Sequence, residues 1–126
     1  MTDSPEFTRA SRAVWEAMAR GWDERNAYLE ERARPVAERM LERAALQPGE
    51  MVLDLAAGTG VVGLAAARAV APRGRVIIGD FSPAMIAAAG RHASALGLDN
   101  VDFRILDAER MDLQTDAVDA VLCRWG

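Results

Sequence analysis

The chain has 126 residues, is 51% hydrophobic and 27% charged, and carries a formal net charge of −4. That is one domain at most, too apolar for a disordered chain, and its cations, all arginine, lie scattered among acids. No basic stripe is present, so no nucleic-acid partner is expected.

The lone cysteine, Cys123, excludes an internal disulfide and suits a reducing compartment. No apolar run approaches the roughly 18–20 residues needed to span a bilayer. The start, Met1-Thr2-Asp3-Ser4-Pro5-Glu6, lacks the basic-then-apolar layout of a signal peptide. A cytoplasmic protein is expected.

From about Phe7 to Trp22, apolar residues recur at helical spacing, with Gly21 expected to loosen the end. A polar helical stretch follows, in which Glu24-Arg25 and Glu30-Glu31-Arg32 read as solvated faces. Pro35 stands where a new helix can begin, because proline is tolerated in a first turn. Val36, Met40, Leu41 and Ala44 then make one stripe, closed by Gln47-Pro48-Gly49. Residues 1–48 are thus a helical N-terminal segment, and 49–126 form a separate core.

In that core, Met51-Val52-Leu53-Asp54-Leu55 reads as a buried strand running into Gly58-Thr59-Gly60, and 61–71 as a helix. After the turn Pro72-Arg73-Gly74 comes a second strand over 75–79. Ser82 caps the next helix, with Pro83 at its first position and Gly97 past its end. Residues 101–105 alternate like an edge strand, and 117–123 make a fourth strand. Strands alternating with helices at this spacing imply an α/β fold with a parallel sheet. Right-handed crossovers give the order 3-2-1-4, with a switch point between strands 1 and 4 where ligands bind.

Chemistry gathers at the strand ends. Glycines in the turn after strand 1 let the backbone approach a ligand that a Cβ would repel. Asp80 ends strand 2, where a carboxylate can accept both hydrogen bonds of a ribose diol. Asp107 ends strand 3 beside the free N–H of Ala108, an acceptor–donor pair that complements an adenine edge. Cys123-Arg124 ends strand 4, facing the glycine turn across the switch point. Asp54, inside an apolar strand, needs a partner, because an unpaired buried carboxylate is costly.

With these residues in view, the sequence resembles the S-adenosylmethionine-dependent methyltransferases of Rossmann-like fold. Within them it is most similar to the small-molecule group that includes ubiquinone and menaquinone biosynthesis methyltransferases. The resemblance covers about 46–126, with Trp15, Gly21, Trp22 and Asp23 similar to the group's helical lead-in. It is carried by 54–60 (Asp-Leu-Ala-Ala-Gly-Thr-Gly), 80–85 (Asp-Phe-Ser-Pro-Ala-Met), 107–109 (Asp-Ala-Glu) and 118–123 (Val-Asp-Ala-Val-Leu-Cys).

The resemblance implies S-adenosyl-L-methionine as cofactor and a small-molecule methyl acceptor. It implies that the turn with Ala56, Gly58, Thr59 and Gly60 holds the methionine moiety, and that Asp54 orients that turn or reaches the methionine amino group. Asp80 takes the ribose hydroxyls, Phe81 and Met85 line the adenine, and Asp107 with Ala108 reads its edge. Cys123 completes the cofactor-binding set as the end of the fourth-strand motif, its side chain read as buried in the strand rather than as a nucleophile. Ala56 replaces the family's usual first glycine, a change without consequence only if its φ stays negative. Ala117-Val118 replaces a frequent aromatic, which bears on packing.

Other residues carry plainer expectations. His92 reads as a solvated surface histidine, Trp15 and Trp22 as core, with Trp22 the better candidate for a lid beside Gly21. No His, Cys, Asp or Glu cluster has metal-ligand spacing, and no catalytic base is singled out.

Two alternatives stand beside the methyltransferase reading. One is a nicotinamide- or flavin-dependent oxidoreductase, since Gly58-x-Gly60-x-x-Gly63 also fits the dinucleotide fingerprint. The other is a truncated, non-catalytic module that binds the cofactor or a partner, because family members continue past the fourth strand and this sequence lacks those C-terminal strands. An apolar, unpaired strand 4 edge then implies self-association, and no methyl transfer by these residues alone.

Overall fold

A computed structural model describes residues 5–126; Met1–Ser4, where the leader expectation begins, lie outside the described residues. Helices α1 (Pro5–Glu24) and α2 (Asn26–Ala44) precede β1 (Met51–Leu55), α3 (Val61–Val70), β2 (Arg75–Asp80), α4 (Pro83–Ala95), β3 (Val101–Ile105) and β4 (Ala120–Leu122). The strands form one parallel sheet in the order β3-β2-β1-β4, as the alternation of strands and helices implies.

The core lies between this sheet and α3 and α4. Val52, Val76, Ile78 and Leu122 from the strands meet Ala66, Ala67 and Val70 of α3 and Ala89 and Ala93 of α4. Alanine at so many helix positions lets the helix axes approach the strands closely. Met40, Leu41 and Ala44 of α2 pack against the rim of this cluster, which accounts for the stripe in their sequence. Ser82 caps α4 by accepting the Met85 N–H at 3.2 Å, with Pro83 following it, and Gly97 takes a left-handed φ of 66° past the helix end.

Four expectations change. Pro35 does not begin a helix: α2 runs through it from Asn26. Proline removes one intrahelical donor, and both Pro35 and Glu31, whose carbonyl loses that bond, are exposed, so water can replace it. Gly21 leaves α1 unbroken, and the break falls at Arg25, whose φ of −100° and ψ of 9° separate α1 from α2.

β4 has three residues rather than seven. The Asp119 carboxylate accepts the Met51 N–H at 2.8 Å while its own N–H reaches the Met51 carbonyl at 2.7 Å. That side-chain clasp starts the pairing and stands in for a longer ladder. Finally, β3 buries neither face beyond Val101: Ile105 is 61% exposed and Phe103 also stands out.

Candidate functional site

The turn after β1 is built by its neighbours. Leu55 is the last residue paired with β2, and the chain then turns through left-handed Ala56 (φ 51°), Gly58 (58°) and Gly60 (84°). Ala56 therefore lacks the negative φ that would make it a neutral replacement for glycine; an alanine there carries about 1–2 kcal/mol of backbone strain. The Ala57 N–H donates to the Gly79 carbonyl at 3.0 Å, fastening the turn to β2.

Asp80, at the end of β2, has both oxygens engaged. Oδ2 accepts the Gly58 N–H at 2.9 Å and Oδ1 the Ser82 N–H at 2.9 Å. The same carboxylate thus shapes the glycine turn and the entry to α4, while its remaining lone pairs face the cavity it lines.

Asp54 is 2% exposed and its Oδ2 accepts the Gly63 N–H at 2.8 Å. Among the described residues no second donor reaches it. Burial pushes this carboxyl up to about 7, against the opposing effects of the Gly63 hydrogen bond and the nearby Arg124 charge. Gly63 has no room for a side chain, since a Cβ there would stand 2.7 Å from Asp54 Oδ2 and 2.9 Å from Ile78 Cγ1.

These groups open on one cavity of about 740 Å³ at the carboxyl ends of the strands. Asp54, Ala56, Gly58, Thr59, Asp80, Phe81, Met85, Asp107 and Ala108 all line it, so the structure brings together nine of the eleven residues singled out from sequence. The two exceptions have physical reasons. Gly60 faces α4 instead, where a Cβ would meet Ala89 Cβ at 3.0 Å, so its lack of a side chain serves helix packing. Cys123 is exposed, not buried. It follows the last pair of the β1–β4 ladder, Asp54 with Leu122, and alternation turns it outward with Val121.

Asp107 also makes a local turn, its Oδ1 accepting the Glu109 N–H at 2.9 Å. Among the described residues, five carboxylates (Glu30, Asp54, Asp80, Asp107, Glu109) and two guanidiniums, Arg32 and Arg124, stand around the cavity. The balance favours a cationic ligand.

The far wall of the cavity comes from α1 and α2. Trp15 and Trp22 meet edge to face, ring centroids 5.6 Å apart, and both line the cavity rather than filling the core. The Arg12 guanidinium lies over the Phe81 ring, 5.7 Å from its centroid. Polar contacts hold this roof. Glu16 accepts the Ser82 hydroxyl and, at 3.2 Å, the Ala84 N–H at the start of α4. Asp23 pairs with His92 at 2.6 Å and with Arg91 at 3.0 Å, which corrects the reading of His92 as a free surface side chain. The hydrogen bonds from His92 and Arg91 hold the Asp23 carboxyl below its usual range. Asn26, at the start of α2, accepts the Thr59 hydroxyl at 2.7 Å.

Glu30 is likewise not on a solvated face. It pairs with Arg124 Nη2 at 2.6 Å, their side chains only 16% and 12% exposed. Neither Glu16, Asn26 nor Glu30 carries a motif; the partners lie 33 to 94 residues away in sequence.

A family model described as a methyltransferase domain matches residues 46–125. An arsenite methyltransferase of Halobacterium salinarum is 37% identical over 79 residues, covering 63% of this chain and 20% of that protein. A ubiquinone/menaquinone biosynthesis C-methyltransferase of Hydrogenovibrio crunogenus is 33% identical over 87 residues, covering 68% of this chain and 34% of that one. The chain thus spans a fifth to a third of the length of these two relatives. Among solved structures, a SAM-dependent methyltransferase from Aquifex aeolicus superposes with a TM-score of 0.63 at 26% identity, over 69% of this chain and 46% of that one.

Proposed function

The chain belongs to the methyltransferase domain family, and we propose that it forms the cofactor-binding part of an S-adenosylmethionine-dependent enzyme acting on a small-molecule acceptor. In this reading residues 49–126 hold the cofactor and the helices of 1–48 roof it. The observation that carries the reading is the convergence of Asp54, Asp80 and Asp107, from three strand ends, on one cavity of about 740 Å³.

The residues present fit the cofactor. Asp80 accepts from the ribose hydroxyls, Asp107 and the Ala108 N–H read the adenine edge, and Phe81 and Met85 flank the ring. The turn from Ala56 to Gly58 gives its backbone to the methionine end, and Asp54 receives the amino group. An excess of carboxylates suits a ligand bearing a sulfonium and an ammonium, and opposes the pyrophosphate of a dinucleotide. When bound, S-adenosylmethionine supplies a methyl group already activated on sulfur. The protein's contribution is to hold donor and acceptor in line and to exclude water, with Trp15 and Trp22 of α1 closing the far side. A cytoplasmic setting accords with the single, exposed thiol.

Calorimetry with S-adenosylhomocysteine and with NAD tests the reading: the first is expected to bind and the second not, and the reverse would remove it. Asp80→Ala is expected to weaken S-adenosylhomocysteine by roughly 10- to 150-fold, the equivalent of a charge-assisted pair. Because Asp80 also holds the Gly58 and Ser82 N–H groups, the variant should melt a few degrees lower as well. Unchanged affinity in the folded variant would take the ribose role from Asp80.

The outer edge of β4 pairs with no strand among the described residues, and Val121 beside it is 56% exposed. We propose that a second copy of the chain pairs there. Light scattering should show a dimer that Val121→Lys shifts toward monomer; a wild-type monomer at every concentration would end this proposal.

A further inference from the structure

Arg12, Glu16, Ala19 and Asp23, spaced four, three and four residues apart, fall on one side of α1. The polar contacts of that side with the region of α4 form two groups. Near the end of α1, Asp23 pairs with Arg91 and His92 in the second half of α4. Two turns earlier, Arg12 and Glu16 reach the link between β2 and α4: the Arg12 guanidinium lies over Phe81, and Glu16 accepts the Ser82 hydroxyl.

Ser82 joins this side of α1 to the cavity. It is fully buried, and its N–H donates to Asp80 Oδ1 at 2.9 Å. Its hydroxyl oxygen accepts the Met85 N–H at 3.2 Å, and its one hydroxyl proton goes to Glu16. Glu16 also accepts the Ala84 N–H at 3.2 Å, so a single carboxylate from α1 fastens both the link and the first turn of α4. Asp80 in turn has two anchors, the Gly58 N–H from the β1 turn and the Ser82 N–H. The direction of its remaining lone pairs follows from where those two donors stand. One anchor belongs to the β1 turn; the other is kept in place from α1.

We propose that Glu16 is a positioning residue for the cofactor: by holding Ser82 it aims the Asp80 carboxylate at the ribose hydroxyls. Ribose recognition then depends on the docking of the N-terminal helix. The inference rests on the ribose role given to Asp80 above and adds a residue that does not itself line the cavity. A Glu16 that only held the roof down would weaken every ligand alike, whereas a Glu16 acting through Asp80 weakens only a ligand with hydroxyls to offer.

The test compares S-adenosylhomocysteine with its 2′,3′-dideoxy analogue, which lacks only the two ribose hydroxyls. By calorimetry, the wild-type chain is expected to bind the first at least about tenfold more tightly. In Glu16→Ala, affinity for S-adenosylhomocysteine should fall roughly 3- to 10-fold, as for loss of one hydrogen bond, while the dideoxy analogue stays within about twofold of wild type. Glu16→Gln, whose amide oxygen still accepts one hydrogen bond, should recover part of the loss. Asp23→Asn weakens the other clasp between α1 and α4 and should leave the preference between the two ligands as in wild type. In an Asp80→Ala background, Glu16→Ala should cost S-adenosylhomocysteine no further affinity.

Equal loss for both ligands in Glu16→Ala would mark Glu16 as a residue of the roof alone and overturn the proposal, as would no loss for either. A full further loss in the Asp80→Ala background would overturn it too, because Glu16 would then act by another route. A wild-type chain that binds the two ligands equally would instead strike down the ribose role of Asp80, and the proposal with it.

Discussion

Asp54→Asn should raise the melting temperature of the ligand-free chain at pH 8 and at the same time weaken its hold on S-adenosylhomocysteine. The Asp54 carboxyl is buried, its affinity for a proton raised from 3.8 to about 7. A folded state that binds the proton more tightly than the unfolded chain is favoured at low pH and loses that advantage as pH rises. Stability linked to Asp54 is therefore fully present below about pH 4, declines between pH 4 and 7, and stays low above 7, a loss of up to about 4 kcal/mol.

An asparagine at position 54 can still accept the Gly63 N–H through its amide oxygen, and it carries no charge to bury. The expected gain at pH 8 is about 2 kcal/mol, or roughly 5–10 °C for a chain of this size. At pH 4 the two proteins should melt together. If Asp54 receives the cofactor's ammonium as proposed, the same substitution removes that anion, and affinity for S-adenosylhomocysteine should fall roughly 10- to 150-fold. Thermal melts at pH 4 and 8, with calorimetry at pH 8, check both halves. A variant that melts no higher than wild type at pH 8 would show that the charged carboxylate is not a burden on the fold. In that case the site has no stored cost for a ligand to relieve.

The part of this molecule written in short stretches of sequence is the part that local physics decides. The β1 turn is legible because glycines at 58 and 60 follow an apolar strand, and φ values of 58° and 84° are the conformations that select glycine. Sheet order follows from the alternation of strands and helices, and the carboxylates at 54, 80 and 107 stand at strand ends by counting. What stayed hidden depends on tertiary partners. Glu30 in Glu30-Glu31-Arg32 looks like any charged helix face until α2 is laid across the end of β4, where Arg124 meets it. Asp23 and His92, or Glu16 and Ser82, pair only because α1 packs on α4. Pro35 reads as a helix start on propensity, and the packing of Met40, Leu41 and Ala44 against the core keeps the helix going through it. The roof over the cavity is thus the least legible region, and its contacts are the ones that join the N-terminal helices to the strand-end carboxylates.

Gly63→Ala should be among the most damaging single-methyl changes in the chain. Gly63 is in the first turn of α3, with ordinary helical φ, so an alanine there would be favoured on propensity alone by about 1 kcal/mol. The space decides otherwise. A Cβ would lie 2.7 Å from Asp54 Oδ2 and 2.9 Å from Ile78 Cγ1, both far inside contact distance. Neither neighbour can yield freely: Ile78 is fully buried in the core, and Asp54 is held by the very N–H that Gly63 donates.

To make room, α3 must move off the sheet and the Asp54 carboxylate must rotate away from its one hydrogen bond. The first costs about 1–3 kcal/mol of overpacking, and the second leaves a buried acceptor unmet at about the same price. Because the Ile78 and Asp54 contacts must both be relieved, the two costs add, and less the propensity gain of about 1 kcal/mol the net expectation is a loss of about 1–5 kcal/mol, or roughly 4–20 °C, in the melting temperature. Cofactor affinity should fall with it, since the turn and Asp54 are displaced together. In an Asp54→Ala background the clash with the carboxylate oxygen is gone, while Ile78 Cγ1 at 2.9 Å and the retained Cβ of residue 54 at 3.0 Å remain, so the same Gly63→Ala change should cost less. A double-mutant cycle in thermal denaturation reads this coupling directly, and additive effects of the two substitutions would show that Gly63 and Asp54 do not act as one unit.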